Sequence, residues 1–322
     1  MASQSNSTAL KLRPFGRTGM SVTPICLGAG SLGDVPQFYS RVSEEQAFDL
    51  VRAVFKSPIK FLDTSANYSE GESERRIGVV IRQLGGLPPG YVLQTKADRD
   101  SSSNDFSGEQ VRRSVERSRV LLGLEHIPIV QLHDPEFATT TFEELMAPGG
   151  AVDVLAQYKA QGIVGAIGVA GGAIDVMTRF VETGAFDAVL THNRYTLICR
   201  SADKLLDLAA GRGMAVLNAA IYNGGMLAKG PDHWTKFAYR EASPQLVATV
   251  REMESLCIRH EVPLAAAALQ FSLRDRRITS TIVGMGRSEL ISETIALAHH
   301  PIPEELWPQL DSVARRSAVD VD

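Results

Sequence analysis

Four residues of different chemical types lie where short apolar runs of the chain end. Asp63 closes the run IKFLD, Lys96 closes YVLQTK, His133 comes directly after IPIVQL, and Tyr68 follows Asp63 by five residues. An acid, a cation, a phenol and an imidazole are the groups that proton transfer coupled to charge stabilisation requires. If the fold brings them together, they predict an acid–base site.

Tyrosine and lysine are the central pair of this hypothesis. A phenol with an ordinary pKa of about 10 is a weak acid and a weak base near neutrality, so it needs a nearby cation to stabilise its phenolate. Lys96 would supply that cation, Asp63 would hold the lysine charged and oriented, and His133 would donate to a substrate oxygen. No His, Cys or carboxylate set recurs at ligand spacing, so neither a metal site nor a nucleophile is expected.

Each of the four residues also has a structural interpretation. A single Lys or Asp at a strand end is often a salt-bridged rim residue, His133 before Asp134 could form a turn, and Tyr68 could be a surface ring. Packing explains one such residue easily. It does not explain four chemical types at the ends of three consecutive strands, so the functional interpretation is favoured.

Eight short β-prone runs alternate with helical patterns, which predicts a (β/α)8 TIM barrel of class α/β. The predicted strands are 25–28, 59–63, 91–96, 127–132, 163–169, 187–191, 214–219 and 278–283. The predicted helices are 43–57, 73–84, 107–122, 150–161, 173–183, 201–210, 243–260 and 288–298. Several begin at a capping residue, namely Ser43, Ser107, Ser201 and Ser243. Active sites of such barrels lie at the carboxyl ends of the strands, so the strand-end residues would share one mouth.

Three segments lie outside this alternation. Residues 10–24 place a Gly-Arg-Thr-Gly turn between β-prone flanks, which predicts an N-terminal β-hairpin that plugs the barrel floor. Residues 303–316 predict an extra C-terminal amphipathic helix. Residues 1–9 predict a disordered leader, and no linker-like stretch interrupts 10–322, so one domain is expected.

Composition excludes several classes of protein. The 322 residues include 33 Lys plus Arg against 37 Asp plus Glu, a formal net charge of −4, with 44% hydrophobic residues. This is typical of a folded globular chain and leaves no cationic surplus for nucleic acid. No signal peptide or long apolar stretch predicts a membrane segment. Cys26, Cys199 and Cys257 form no CxxC pair, which indicates a reducing, cytoplasmic location without disulfides. The sequence does not specify an oligomeric state.

The motifs FLDTSANYSEGESERRIG, LQTK and VQLHDPE, in this order and spacing, resemble the aldo-keto reductase superfamily. The resemblance spans nearly the whole chain. It implies a (β/α)8 barrel that moves a hydride between a nicotinamide cofactor and a carbonyl or alcohol. It also implies Asp63, Tyr68, Lys96 and His133 as the catalytic four, with Tyr68 as general acid in reduction and general base in oxidation.

Three further segments, VLTHNRYTLI, NAAIYNGGMLAKG and LQFSLRDRRITSTIVGMGR, resemble one branch of that superfamily. The branch contains D-threo-aldose (L-fucose) 1-dehydrogenases, L-galactose dehydrogenases and pyridoxal 4-dehydrogenase. It implies oxidation of an aldose of the L-fucose, L-galactose or D-arabinose type, or of pyridoxal, to a lactone. The alternatives are an NADPH-dependent carbonyl or aldehyde reductase, and a non-catalytic barrel that senses nicotinamide redox state.

The resemblance also implies cofactor contacts, at Gly30, Ala170, His192, Gly225, Leu227, Gly284, Arg287 and Glu293. Ala170 and Gly171 stand where many family members have Ser-Asn, His192 stands where Gln is usual, and Ala219 maps near the usual stacking aromatic. We therefore expect backbone groups, more than side chains, to hold the nicotinamide. Gly30 belongs to a literal G-x-G-x-x-G match over 28–33, but Asp-Val-Pro directly after it breaks the helix that a dinucleotide fingerprint requires.

Cofactor preference is expected to depend on the segment IVGMGRSELISET. Gly284, Met285 and Leu290 stand where NADP-preferring members often carry cations, which leaves Arg287 as the only cation in this segment. A 2′-phosphate requires Arg or Lys, whereas a free 2′-hydroxyl does not. NAD is therefore favoured, with NADP as the alternative, and Glu293 is a candidate adenine or ribose contact.

Overall fold

A closed barrel of eight parallel strands forms the centre of the protein. The computed structural model describes residues 10–33, 41–238 and 240–317, so the predicted leader 1–9 lies outside the described residues. The strands are β1 Ile25–Gly28, β2 Phe61–Asp63, β3 Val92–Ala97, β4 Ile127–His133, β5 Val164–Gly171, β6 Ala188–His192, β7 Ala215–Ala219 and β8 Ser280–Gly284. Each pairs with the next, and β8 also pairs with β1. The predicted TIM barrel is confirmed, with strand ends within two residues of the prediction.

Helices connect the strands around the outside of the barrel. They are α1 Glu44–Lys56, α2 Glu72–Gln83, α3 Gly108–Leu122, α4 Phe142–Met146, α5 Ala151–Ala160, α6 Ile174–Glu182, α7 Asp203–Gly211, α8 Met226–Lys229, α9 Pro244–Arg259, α10 Leu264–Arg274, α11 Glu289–His299 and α12 Leu306–Ser317. Ser43, Ser107 and Ser243 cap α1, α3 and α9 by accepting a backbone N–H, as predicted. The prediction for Ser201 is wrong, because α7 begins after Ala202 and the Ser201 hydroxyl bonds within the preceding loop instead.

Three helices, the short α8 and the longer α9 and α10, lie between β7 and β8, where the sequence predicts one. The run LAAAALQF of α10 is apolar on most faces and therefore lacks the periodicity that marks a surface helix. It packs against β8 and α11, whereas α9 packs against the C-terminal helix α12. The Thr249 hydroxyl lies 2.7 Å from that of Ser317, and Arg316 donates to Glu252, so the predicted extra helix is confirmed and docks on α9.

The N-terminal hairpin closes the amino end of the barrel. Arg13–Pro14 pairs antiparallel with Ser21–Val22, which confirms the predicted hairpin. Phe15 and Val22 are fully buried and belong to the same apolar cluster as the inward-facing strand residues. The turn approaches β7 so closely that a Cβ on Gly16, where φ is 52°, would lie 2.7 Å from the Ala215 nitrogen. The hairpin therefore acts as the floor of the barrel.

Cys26, Cys199 and Cys257 are all buried and unpaired. Within the described ranges, none of the helices has the length and apolar character needed to cross a bilayer.

Candidate active site

The carboxyl ends of β2, β3 and β4 bring three of the predicted residues together. Asp63 and His133 are the last residues of β2 and β4, and Lys96 is the next to last residue of β3. These strands are neighbours in the barrel, and parallel strands end at the same edge. The three side chains therefore share one mouth, as the sequence predicts.

The Lys96 ammonium lies at the centre of the site and is almost completely buried. Its Nζ is 2.8 and 3.0 Å from the two Asp63 oxygens, donates to the Thr64 carbonyl at 2.7 Å, and is 2.9 Å from the Tyr68 hydroxyl. Three N–H donors thus meet three different partners, which fixes the ammonium in position. A cation in hydrogen-bond contact with a phenol stabilises its phenolate form.

Two glutamines inside the barrel orient the carboxylate of Asp63. Gln94 Nε2 donates to Asp63 Oδ1 at 2.7 Å, and Gln131 Nε2 donates to Gln94 Oε1 at 3.2 Å. Both glutamines are fully buried. Sequence reasoning did not identify them, although a glutamine inside an otherwise apolar strand, as in LQTK and VQLHD, was the available signal.

Tyr68 reaches the mouth from a tight 3₁₀ turn, Tyr68–Gly71, that follows β2. Ser69 and Glu70 within that turn adopt left-handed conformations, with φ of 52° and 56°, so the chain reverses sharply behind the tyrosine. The Tyr68 ring lies edge-on to the His133 ring, with 6.0 Å between centroids and 81° between planes. The four predicted residues therefore form one compact group.

His133 lies between two carboxylates. Its Nδ1 is 2.5 Å from Asp98 Oδ1, and its Nε2 is 3.7 Å from Asp134 Oδ2. Burial alone disfavours the imidazolium, but the charges of Asp134 and Asp98 outweigh burial and raise the pKa of His133 above its ordinary value. Sequence reasoning did not identify Asp98, which comes two residues after Lys96 and just past β3.

The predicted nicotinamide contacts lie on the adjacent strands. Ala170 is buried at the end of β5 and pairs in register with His133, while His192 ends β6. Packing around the His192 ring lowers its pKa to about 4, although 31% of the side chain remains exposed. The imidazole is therefore neutral near pH 7 and offers one donor and one acceptor.

The remaining predicted contacts lie in the loops after β1, β7 and β8. Gly30 is partly buried after β1, and Gly225, with φ of 116°, precedes α8. The side chain of Leu227 is fully buried in the core, and its N–H donates to the Tyr222 carbonyl at 3.2 Å. Gly284 is the exposed last residue of β8.

Arg287 and Glu293, the other two predicted contacts, face each other. Arg287 Nη2 is 3.4 Å from Glu293 Oε1, and its Nε is 3.9 Å from Glu289 Oε2. The Arg287 side chain is 59% exposed. The cation that could meet a 2′-phosphate is thus already flanked by two carboxylates.

Unpaired polar atoms at this mouth fit a nicotinamide dinucleotide. Asn193, next to His192, is buried, and its Oδ1 has no hydrogen-bond partner among the described residues. A carboxamide needs one acceptor for its N–H groups and one donor for its oxygen, and Asn193 and His192 can provide both. Arg287 is the only cation in residues 284–293.

A parallel barrel whose mouth joins a tyrosine, a buried lysine–aspartate pair and a histidine has the groups needed to move a proton at a carbonyl or hydroxyl oxygen. The chain belongs to the aldo/keto reductase family, whose model matches residues 24–315. It is an NAD(P)-dependent oxidoreductase. The resemblance predicted from the motifs is confirmed.

Known proteins resemble this chain over nearly its whole length. Pyridoxal 4-dehydrogenase from Microbacterium luteolum is 29% identical over 94% of this chain and 97% of that protein. D-threo-aldose 1-dehydrogenase from a Pseudomonas species is 27% identical over 91% of this chain and 94% of that protein. The structure of an aldo-keto reductase from Bacillus halodurans in its holo form matches with a TM-score of 0.77 and 19% identity, covering 94% and 96% of the two chains. This last likeness concerns the fold alone.

Proposed function

We propose that the protein oxidises the C1 hydroxyl of a cyclic aldose, or the hemiacetal hydroxyl of pyridoxal, to a lactone. The observation that carries the proposal is the 2.9 Å contact between Lys96 Nζ and the Tyr68 hydroxyl, which provides a base for a substrate hydroxyl. The similarity to a pyridoxal dehydrogenase and to an aldose dehydrogenase supports this substrate class.

Each of the four residues has a defined part in this oxidation. The Tyr68 phenolate takes the proton from the substrate hydroxyl, and Lys96 stabilises the phenolate before that transfer. Asp63 holds Lys96 in place, and the Nε2–H of His133 donates to the oxygen that becomes the lactone carbonyl. A bound nicotinamide supplies the acceptor for the hydride that leaves C1, so proton and hydride together account for the two electrons lost by the substrate.

We propose NAD as the preferred cofactor. The flanking of Arg287 by Glu289 and Glu293 supports this preference, because a 2′-phosphate would have to compete with both carboxylates for one exposed cation. His192, Asn193, Ala170 and the loops at Gly30, Gly225 and Gly284 are proposed to hold the remainder of the dinucleotide. Leu227 and Glu293 are also proposed to contact the dinucleotide, Leu227 through its backbone only.

The test is absorbance at 340 nm with purified protein and either NAD or NADP. The substrates are L-fucose, L-galactose, D-arabinose, pyridoxal and simple alcohols, each at several concentrations. Reduction of NAD by one sugar or by pyridoxal, at a higher kcat/KM than with NADP, is the expected result. Oxidation of NADPH by aldehydes, with no reaction in the panel, would replace the proposal with a carbonyl reductase. Tight cofactor binding without turnover of any substrate would instead indicate a redox sensor.

A further inference from the structure

We infer that Asp98 is a positioning residue that holds His133 as an imidazolium with its Nε2–H directed to the substrate oxygen. The inference rests on the proposed chemistry of the site, in which His133 touches that oxygen. Asp98 does not itself reach the substrate in this scheme, because both of its oxygens are engaged elsewhere. Its effect on the reaction is transmitted through the histidine ring.

Asp98 is shielded from solvent, and both oxygens of its carboxylate have hydrogen-bond partners. The residue is 2% exposed. Its Oδ1 lies 2.5 Å from His133 Nδ1, while its Oδ2 accepts from the Ser65 hydroxyl at 2.5 Å and from the Asn67 N–H at 2.9 Å. These donors lower the pKa of Asp98 despite a burial effect in the opposite direction, so the group is a carboxylate near neutrality.

A carboxylate at Nδ1 determines the protonation of the ring. An ionised carboxylate only accepts hydrogen bonds, so the Nδ1 of His133 must carry its proton. The ring is thereby oriented with Nε2 on the far side, toward the mouth, where Asp134 Oδ2 lies 3.7 Å away. In this orientation a substrate oxygen meets Nε2.

Several charged or titratable groups face the ring besides Asp98. Asp134 comes from the end of its own strand, Lys96 from β3, Tyr68 from the turn after β2, and His192 from β6. Lys96 opposes the imidazolium, and His192 is neutral near pH 7, so the two carboxylates are what favours the charged ring. A cationic donor stabilises negative charge that develops on the substrate oxygen better than a neutral imidazole does.

Asp98 also has a structural contact, since its Oδ2 anchors the backbone of Asn67, immediately before Tyr68. A purely structural role would be to hold that turn, and its loss would lower stability without changing how activity depends on pH. The two roles therefore differ in a measurable way. The distinguishing variable is the charge of His133.

The test compares Asp98→Asn and Ser65→Ala with wild type by single-turnover kinetics from pH 5 to pH 9. The substituted amide keeps an oxygen that can accept from His133 Nδ1 but removes the negative charge. The Asp98→Asn rate is expected to be about 10²-fold below wild type at pH 8, with the half-saturating substrate concentration changed by less than about threefold. The ratio of variant to wild-type rate should rise toward pH 5, where the imidazole becomes protonated again. Ser65→Ala retains the carboxylate but removes a hydroxyl that lies 2.5 Å from Asp98 Oδ2 and 3.3 Å from His133 Nδ1, and it should lose only a few-fold.

Titration of His133 by NMR of ¹⁵N-labelled protein provides a readout that does not depend on turnover. The His133 pKa is expected to be lower in Asp98→Asn than in wild type, and the bend in its rate profile should shift by the same amount. Asp275→Asn is the matched control, because Asp275 is another carboxylate with a lowered pKa, bonded to Tyr195 and Arg277 rather than to His133.

Three results would overturn the inference. They are an Asp98→Asn rate ratio that is constant with pH, a His133 pKa that does not move, or an equal loss of rate in Asp275→Asn. If Asp98→Asn fails to fold, Ser65→Ala with an unchanged rate and an unchanged His133 pKa would also contradict it. Absence of turnover in wild type would refute the proposed function, whereas the NMR titration would still decide whether Asp98 sets the charge of His133.

Discussion

The floor and the mouth of the barrel are built from the same strands, but apolar side chains line the floor and ionisable side chains line the mouth. Inward-facing side chains alternate along a strand, so every second residue of β2, β3 and β4 points into the barrel. From floor to mouth these residues are Phe61 and Asp63 in β2, Val92, Gln94 and Lys96 in β3, and Ile129, Gln131 and His133 in β4. Each strand thus passes from an apolar residue to an ionisable one, with a buried amide between them in two of the three strands.

The change from apolar to ionisable side chains along the strands separates the contribution to stability, at the floor, from the groups of the candidate active site, at the mouth. The floor is closed by the hairpin, where the Phe15 ring packs edge-on against Phe61 with 6.2 Å between centroids. Such packing contributes stability and has no part in the chemistry. At the mouth, each buried ionisable group is held by a partner, and the proposed function assigns these groups to the reaction. Substitutions at the two ends should therefore affect different observables.

The largest expected effect is at the mouth, for Tyr68→Phe. We expect kcat to fall by about 10⁴-fold, because the proposed function makes the phenol the proton-transfer group, while the melting temperature changes little. Tyr158→Phe is the matched control, since the Tyr158 hydroxyl bonds Glu116 on the outer helices, 2.9 Å away, and its loss should leave kcat unchanged. A Tyr68→Phe protein with more than a tenth of wild-type kcat would show that another group transfers the proton.

At the floor, Phe15→Ala should produce the opposite pattern. Removing a fully buried ring leaves a cavity, and we expect the free energy of unfolding to fall by about 4 kcal/mol with kcat retained at 25 °C. Denaturant titration measures the loss, and Val120→Ala, at a position 75% exposed, provides the control that should change stability by less than about 0.5 kcal/mol. A large drop in kcat for folded Phe15→Ala would mean that floor and mouth are coupled.

Much of this architecture could be predicted from the sequence, because strand patterns and motif residues are local. The eight strands, the hairpin and the four catalytic candidates lie close to where the apolar runs place them. The helix α10 was missed because burial on most faces removes its periodicity. Asp98 was missed because its partner His133 is distant in sequence, and only the closed barrel brings the two side chains to 2.5 Å.

The third prediction concerns how stability depends on pH at Glu74, a buried carboxyl group outside the mouth. Burial raises the pKa of Glu74, on α2, to about 7, and the hydrogen bond from Thr95 opposes this only in part. A folded-state pKa above the unfolded value means that the folded state binds more protons, so wild-type stability falls as the pH rises from about 4.5 to about 7. Glu74→Gln lacks this loss, and its free energy of unfolding relative to wild type should increase by about 3 kcal/mol between pH 4 and pH 8.

Urea titrations of wild type and Glu74→Gln at several pH values measure this difference. The matched comparison is Asp98→Asn, in which a carboxylate with a lowered pKa is removed. A depressed carboxylate pKa contributes stability that is fully present above the unfolded value, near 3.8, so the destabilisation of Asp98→Asn relative to wild type should shrink only below about pH 4, where Glu74→Gln shows no further change. Between pH 6 and pH 8 the lowered pKa of His133 in Asp98→Asn should instead give a slope of the same sign as that of Glu74→Gln. A destabilisation of Asp98→Asn that stays constant below pH 4 would show that the Asp98 carboxylate does not have a lowered pKa in the folded protein.

The smallest expected effect concerns cofactor preference, at the outer edge of the mouth. Arg287 is 59% exposed and already faces Glu289 and Glu293, and an exposed pair of this kind contributes at most about 1 kcal/mol. Arg287→Ala should therefore lower kcat/KM with NADP by less than about fivefold and leave kcat/KM with NAD unchanged. Initial rates with both cofactors, for wild type and for the equally exposed control Arg113→Ala on α3, measure the ratio. A loss of 100-fold or more with NADP alone would identify Arg287 as a phosphate-binding residue and reverse the proposed preference for NAD.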